Sequence, residues 1–88
     1  MELTIRLYAD LVKTISGEVR QRFSGPIRSG RSLHLSIRDD CTVDDLIKFL
    51  KLPDDNVKVI FVNGRARERD WILESGDEVG IFPLVGGG

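Results

Sequence analysis

A single apolar stripe at helical spacing constrains the fold of this chain more than any other feature. The stripe consists of Val43, Leu46, Ile47 and Leu50, which follow one another at i, i+3, i+4 and i+7. Thr42 and Asp45 open it in the pattern of a capping box, and Pro53 prevents the helix from continuing. The sequence therefore predicts one main amphipathic helix, whose apolar side needs a surface to pack on.

Short runs typical of β-strands lie on both sides of this helix. Residues 3–7 and 33–37 carry apolar side chains at every second position, and 57–62 and 79–82 are rich in strand-forming residues. Asn63-Gly64 favours a tight turn, Pro83 ends the last run, and residues 71–73 are expected to return to the core. Because 88 residues suffice for one small core, we predict an α+β domain with a mixed sheet and one crossing helix.

The segment between the first two predicted strands is the least regular part of the chain. Residues 8–15 predict a short helix or turn, and 16–32 contain several chain breakers. The alternation of Val19, Gln21 and Phe23 with arginines favours a strand over part of this segment. We expect a domain over 1–83, in which 17–32 form an exposed, mobile basic loop, followed by a flexible glycine tail at 84–88.

Charge is distributed unevenly along the chain. Residues 1–38 hold seven basic and three acidic side chains, whereas 39–88 hold six basic and eleven acidic ones. The formal net charge is −1, and only Phe23 lies near the arginines to stack on a base, so we expect no nucleic-acid partner. The first residues lack a secretory pattern, and no apolar run approaches the roughly 20 residues that span a bilayer. We therefore expect a cytoplasmic protein that does not contact membranes.

Residue types that commonly carry catalysis are scarce. His34 occupies a polar position of a predicted strand and lacks the partners that orient a general base, so we expect a surface side chain. Cys41 is expected to be a structural or incidental thiol, because acidic neighbours oppose its activation. The paired acids fall at a helix start and in turns, which explains them without a metal site. We expect no bound metal and no enzyme active site.

The end of the sequence has no structural explanation within such a domain. Gly86, Gly87 and Gly88 have no side chains to pack, and glycine loses the most entropy when it is ordered. From Val85 onward the chain extends about 13–14 Å when it is stretched. Such a tail can enter a tunnel that is too narrow for side chains and place its carboxylate in a partner's active site. The alternative is an idle tail.

Four segments together resemble the ubiquitin-like sulfur carriers of the MoaD/ThiS group, and most closely its MoaD-like members, the small subunits of molybdopterin synthase. These segments are residues 3–9 (LTIRLYA), 42–46 (TVDDL), 62–65 (VNGR) and 73–83 (LESGDEVGIFP). The chain departs from MoaD-like tails at Leu84, where a second proline is common, and in its third glycine. Its 17–32 segment is also longer and more basic. The resemblance covers nearly the whole chain and implies a ubiquitin-like β-grasp fold.

The resemblance also implies a function. An E1-like adenylating enzyme of the MoeB/ThiF kind would use ATP to join Gly88 to AMP. Sulfur from a donor such as a cysteine desulfurase or a rhodanese would then replace AMP and leave a thiocarboxylate. Phe82, Pro83 and Val85 would dock the base of the tail, and the two glycines before Gly88 would give clearance. A MoaE-like large subunit of molybdopterin synthase would receive the sulfur, and the carrier would be non-catalytic and bind no cofactor.

Three other functions stay open at this point. The chain could carry sulfur for thiamin or cysteine biosynthesis, or it could be a protein modifier that forms isopeptide bonds with lysines through the same glycine. A plain β-grasp interaction module, in which the glycines have no role, is the third. A thiocarboxylate on the isolated protein favours a carrier, lysine conjugates favour a modifier, and full function after tail deletion favours an interaction module.

Overall fold

Five strands and two α-helices make up the described part of the chain. The structure is a computed structural model that describes residues 1–23 and 25–83, so the predicted tail at 84–88 lies outside the described residues. The order of elements is β1 (Glu2–Leu7), a 3-10 helix (Ala9–Thr14), α1 (Gly17–Arg20), β2 (Leu33–Ser36), α2 (Val43–Phe49), a second 3-10 helix (Asp54–Asn56), β3 (Val57–Val62), β4 (Arg65–Ala66) and β5 (Glu78–Pro83). No helix among these residues is long and apolar enough to cross a membrane.

The five strands form one mixed sheet in the order β2-β1-β5-β3-β4. β1 and β5 run parallel, with Ile5 opposite Val79, and the other neighbouring strands run antiparallel. The pairing of β3 with β5 is irregular near its end, where Val57 lies opposite Pro83 and Val59 opposite Phe82. The first and last strands therefore lie side by side in the middle of the sheet. This arrangement confirms the predicted α+β class with a mixed sheet.

One hydrophobic core joins α2 to one face of the sheet. All four residues of the predicted stripe on α2 are buried, together with every second residue of β1, namely Leu3, Ile5 and Leu7. The predicted capping box is present, because the Asp45 backbone N–H donates to Thr42 Oγ1 at 3.1 Å and the Thr42 N–H donates to Asp45 Oδ2 at 3.0 Å. The helix signal in the sequence is thus confirmed at both its stripe and its cap.

The strand predicted within residues 16–32 is wrong, because this segment begins with the helix α1. Ser16 caps the helix by accepting a hydrogen bond from the Val19 backbone N–H at 3.2 Å. Val19, Phe23 and Ile27 are all buried, so the segment is not simply an exposed loop. The burial of these three apolar side chains outweighs the local alternation that favoured a strand. The mobility of 17–32 stays a prediction.

The expected return of residues 71–73 to the core is wrong for two of the three. Trp71 is 40% exposed and Ile72 is 62% exposed, whereas Leu73 is buried. Ile72 is bridged to Thr42, so its side chain points away from that of its neighbour Leu73. Trp71 follows a turn in which its backbone N–H donates to the Glu68 carbonyl. The guanidinium carbon of Arg67 lies 3.8 Å from the centre of the Trp71 ring, a cation–π contact that partly covers the indole.

Candidate functional site

The last two described residues, Phe82 and Pro83, form the base of the predicted tail, and we call them the tail root. They end β5, which is held between β1 and β3. Pro83 is buried and Phe82 is half-buried. Because the strand that carries the tail root has a partner on each side, Pro83 is a firmly held end of this strand.

On the sheet face opposite the core, Tyr8 and Phe61 pack against Phe82 of the tail root, and we call these three residues the aromatic cluster. The rings of Tyr8 and Phe82 are stacked, with centroids 4.1 Å apart and planes 6° from parallel. Phe61 meets Phe82 edge-on at 5.5 Å. Aromatic pairs of these kinds contribute about 0.5–1.5 kcal/mol each beyond the area that they bury. The cluster therefore fixes the orientation of Phe82 from two directions.

A shallow hollow of about 200 Å³ adjoins the aromatic cluster. Its floor includes Gly80, which lies opposite Arg6 on one side and Phe61 on the other. A Cβ atom at Gly80 would lie 3.6 Å from ring atoms of both Tyr8 and Phe82, so glycine leaves the hollow open. At its border, Arg6 Nε lies 3.2 Å from Glu78 Oε1. The open sheet face thus presents an apolar depression with an ion pair at its border.

Residues 17–32, which we call the basic segment, are hydrogen-bonded to the residues on both sides of Tyr8. The Ala9 backbone N–H donates to Ser29 Oγ at 2.9 Å, and the Gly30 N–H donates to the Leu7 carbonyl at 2.8 Å. Gly30 has a φ of +76°, a conformation that suits glycine. These contacts bind the end of the basic segment to the chain on both sides of Tyr8, and therefore next to the tail root.

Sequence reasoning placed Phe82 and Pro83 at the site but missed Tyr8, Phe61 and Gly80. The signal was present in the strand periodicity, because Phe61 and Phe82 each follow a buried isoleucine and so point to the opposite face. The other predicted site residues, Val85, Gly86, Gly87 and Gly88, lie outside the described residues.

Neither of the lone reactive side chains takes part in this site. His34 is exposed on β2, which confirms a surface histidine. Cys41 is a buried free cysteine, which agrees with the expected structural thiol. Within residues 1–23 and 25–83, no three histidine, cysteine or acidic side chains are grouped so that they could hold a metal ion.

The paired acids near α2 have structural partners. Lys48 lies 2.9 Å from Asp44, and Arg69 Nη1 contacts both Asp44 at 3.1 Å and Asp54 at 2.7 Å. The hydrogen bond from Lys48, followed by that from Arg69, holds the pKa of the Asp44 carboxyl below its usual value. These ion pairs tie the first turn of α2 to the segments that flank β3 and β4, and they support the structural interpretation of the acids.

The sequence matches the family model described as the ThiS family over residues 15–88, which is most of the chain. The chain belongs to the ThiS family. ThiS-family proteins are ubiquitin-like sulfur carriers, so the resemblance seen in the sequence is confirmed. Among curated proteins, no sequence match is found.

Solved structures share the fold of this ThiS-family chain. SAMP1 from Haloferax volcanii is 23% identical with a TM-score of 0.62, and the alignment covers 100% of both chains. The HVO 2177 protein of the same organism is 28% identical with a TM-score of 0.63, over 100% of this chain and 87% of that one. A protein assigned as molybdopterin converting factor subunit 1 from Pyrococcus furiosus is 22% identical with a TM-score of 0.63, over 97% of this chain and 99% of that one. These similarities confirm the ubiquitin-like β-grasp fold.

Proposed function

We propose that this ThiS-family protein is a sulfur carrier whose Gly88 carboxylate is converted to a thiocarboxylate. The observation that carries the proposal is the held tail root, at which the aromatic cluster fixes Phe82 directly before the residues that lead to the glycines. The family match, which extends through residue 88, supports it. In this proposal the partner binds the folded domain, and the reaction takes place at Gly88 in the partner's active site.

Gly88 needs activation because a carboxylate is a poor electrophile. In the active site of an E1-like adenylating enzyme of the MoeB/ThiF kind, the Gly88 carboxylate attacks the α-phosphate of ATP. This step forms an acyl-adenylate and releases pyrophosphate. Sulfide then displaces AMP and leaves the thiocarboxylate. Where the donor is the persulfide of a cysteine desulfurase or a rhodanese, its terminal sulfur displaces AMP to give an acyl disulfide, and a second thiol cleaves the S–S bond. ATP belongs to the partner, and the carrier itself binds no cofactor and catalyses no step.

We place the acceptor of this sulfur in molybdopterin biosynthesis, where a MoaE-like large subunit would receive it. The support is the shared fold with the protein assigned as molybdopterin converting factor subunit 1. In this role the apolar hollow beside Tyr8, Phe61 and Phe82 docks on the partner while the tail enters the active site. The glycines at 86 and 87 allow entry because they carry no side chain.

Protein modification is a second candidate function, and one observation favours it. Two of the structures with the same fold are named SAMP1 and small archaeal modifier protein 1, both from Haloferax volcanii. A modifier uses the same activated glycine but transfers it to the ε-amino group of a lysine. Lysine conjugates that form in place of a thiocarboxylate would favour this candidate over the carrier.

The test is an intact-mass measurement after co-expression with the adenylating enzyme of the same organism, in the presence of a sulfur source. We expect a mass change equal to the replacement of one oxygen by sulfur, located at Gly88 by fragmentation. An unmodified terminus, together with activity of the same enzyme on another carrier, would contradict the proposal.

Two tail variants make this test specific. One added residue after Gly88 is expected to abolish sulfur loading, and Gly87→Val is expected to hinder it, because each blocks entry of the terminal carbonyl into a narrow site. Gly17→Val is the matched control, since a Cβ at Gly17 meets no atom within 4 Å. All three variants are expected to keep the circular dichroism spectrum of the wild type. Normal loading of the extended chain would exclude chemistry at the Gly88 carboxylate.

A further inference from the structure

Four arginines of the basic segment take no part in the site described above. Arg20, Arg22, Arg28 and Arg31 are exposed, and among the described residues none of them has an acidic group within 4.0 Å. Arg6 and Arg38 each have one acidic partner, and Arg69 has two. Residues 17–32 therefore present four basic side chains without a described ion pair, as do Lys13, Lys58, Arg65 and Arg67 elsewhere among the described residues.

The backbone that carries these arginines is anchored to the domain. Val19, Phe23 and Ile27 are buried at spacings of four residues. Ser29 is hydrogen-bonded to Ala9 in the first 3-10 helix, and Gly30 to Leu7 at the end of β1. Anchoring matters because a shaped charged surface loses less conformational entropy when it binds a partner than a free loop does. The acid of this segment, Glu18, lies 3.0 Å from Lys51 and does not neutralise the arginines.

Two of the four arginines flank the part of residues 17–32 that lies beside Tyr8. Arg28 and Arg31 lie on either side of Ser29 and Gly30. A Cβ atom at Gly30 would lie 3.4 Å from the Tyr8 ring, which stacks on Phe82 at 4.1 Å. A chain of direct contacts thus leads from the backbone between these arginines to the base of the tail.

We infer that Arg28 and Arg31 form a docking surface for an acidic patch on the E1-like adenylating enzyme that receives the tail, at the border of the opening that the tail enters. The inference rests on the proposed function. The carrier presents positive charge at its tail root and a carboxylate at the end of the tail. A partner with carboxylates around the opening and a site for an anion at its end complements both charges. Such complementarity raises the rate and fixes the orientation of encounter.

The alternative partner, a nucleic acid, is disfavoured by the surroundings of the arginines. Phe23, the aromatic residue within the segment, is buried, and Arg22 covers the half-buried Phe49 at 5.7 Å from the ring centre. Neither ring is free to stack on a base, which is the contact that single-stranded nucleic acids favour. The chain as a whole carries a formal net charge of −1, so long-range attraction to a polyanion is also weak.

The test compares charge reversals at and away from the tail root. The readout is kcat/KM of the adenylating enzyme of the same organism, measured by ATP–pyrophosphate exchange with the full-length carrier. For Arg28→Glu/Arg31→Glu we expect kcat/KM to fall about 10-fold at ~50 mM salt with kcat unchanged, since steering charges act on association. At ~0.5 M salt the loss should largely disappear, because charges are screened beyond a few ångströms.

Arg31→Glu and Arg65→Glu form a matched pair of single reversals. Arg65 is exposed and begins β4, at the end of β3 opposite the tail root. We expect Arg65→Glu to stay within about twofold of the wild type, because Arg65 lies at the end of β3 that is remote from Pro83. All these side chains are exposed, so the melting temperatures are expected to match that of the wild type.

Three outcomes would overturn the inference. The first is a wild-type kcat/KM for the double variant at low salt. The second is a loss of kcat/KM for Arg65→Glu as large as that for Arg31→Glu. The third is binding of a fluorescein-labelled uridine 20-mer that depends on these arginines while kcat/KM is unchanged. Failure of the proposed function itself looks different, because the wild-type carrier would then support no pyrophosphate exchange and gain no thiocarboxylate.

Discussion

Tyr8 is the residue that joins the tail root to the rest of the domain. Its ring stacks on Phe82, its backbone N–H donates to the Ile81 carbonyl at 3.2 Å, and Gly30 lies against its edge. Tyr8, which directly follows β1 and is half-buried, thus meets both the last strand and residues 17–32. The position of Phe82 depends on how closely these three parts pack around the Tyr8 ring.

Crowding at Gly30 tests this dependence. Gly30→Ala adds a methyl group 3.4 Å from Tyr8 Cε1 at a φ of +76°, whereas Gly25→Ala adds one at a φ of +87° with no atom within 4 Å. Both variants carry the strain of a left-handed alanine, about 1–2 kcal/mol. We expect a larger loss of unfolding free energy for Gly30→Ala by urea titration, and shifted NMR signals of the Phe82 ring in that variant only. Equal losses with unchanged ring signals would contradict this role of Tyr8.

At the scale of elements, the capping box of α2 makes the start of the main helix sensitive to acid. The Thr42 backbone N–H donates to the Asp45 carboxylate at 3.0 Å. This bond, with the Thr42 hydroxyl and then the charge of Arg38, holds the pKa of Asp45 below its usual value. The ionised form is therefore favoured in the folded state, and the cap contributes to stability while Asp45 is charged.

Asp45→Asn tests the sign of this effect. A carboxyl whose pKa is lowered by folding stabilises the protein above its unfolded pKa, about 3.9, and this stabilisation is lost as the pH falls through the lower folded pKa. We expect Asp45→Asn to be less stable than the wild type at pH 7 and the difference to shrink below about pH 4. Urea unfolding at pH 7 and pH 3 measures it. Asp70→Asn, at an exposed acid without a described ion pair, is the control, and a difference that does not change with pH would contradict the prediction.

The elements that the sequence predicts well are those with one unambiguous period. The stripe, the cap and the stop at Pro53 define α2, and β3 occupies the predicted 57–62. The helix α1 is harder to predict, because the sequence around it fits two patterns. Alternation with arginines favours a strand, whereas the apolar residues Val19, Phe23 and Ile27 recur every four positions. The aromatic cluster was missed for another reason. It unites Tyr8, Phe61 and Phe82, which lie far apart in the chain and meet only through the strand order.

At the scale of the whole molecule, the strand order sets where the fold is most firmly held. β1 and β5 each have a partner on both sides and bury residues such as Ile5, Val79 and Ile81 completely. β4 has two residues, both exposed, and pairs with β3 alone. The centre of the sheet therefore depends on strands from opposite ends of the described chain.

Native-state hydrogen exchange can measure how local stability differs between the central strands and β4. We expect the hydrogen-bonded amides of β1 and β5 to exchange only through global unfolding, and those of β4 to exchange through local opening with a lower free energy. The denaturant dependence of exchange separates the two, since global unfolding exposes the most surface. Exchange of the β1 amides at a free energy as low as that of β4 would contradict this view of the sheet.

The parallel pairing of β1 with β5 also has a mechanical consequence. Glu2 and Pro83 lie at opposite ends of two adjacent strands that run in the same direction. A force that pulls on the tail while the start of β1 is held acts along both strands, so it loads all the hydrogen bonds between them at once. Peeling, which would break them one by one, is not available in this geometry. A partner that grips the tail would therefore move the domain as a rigid body long before it unravelled the strand that bears the tail.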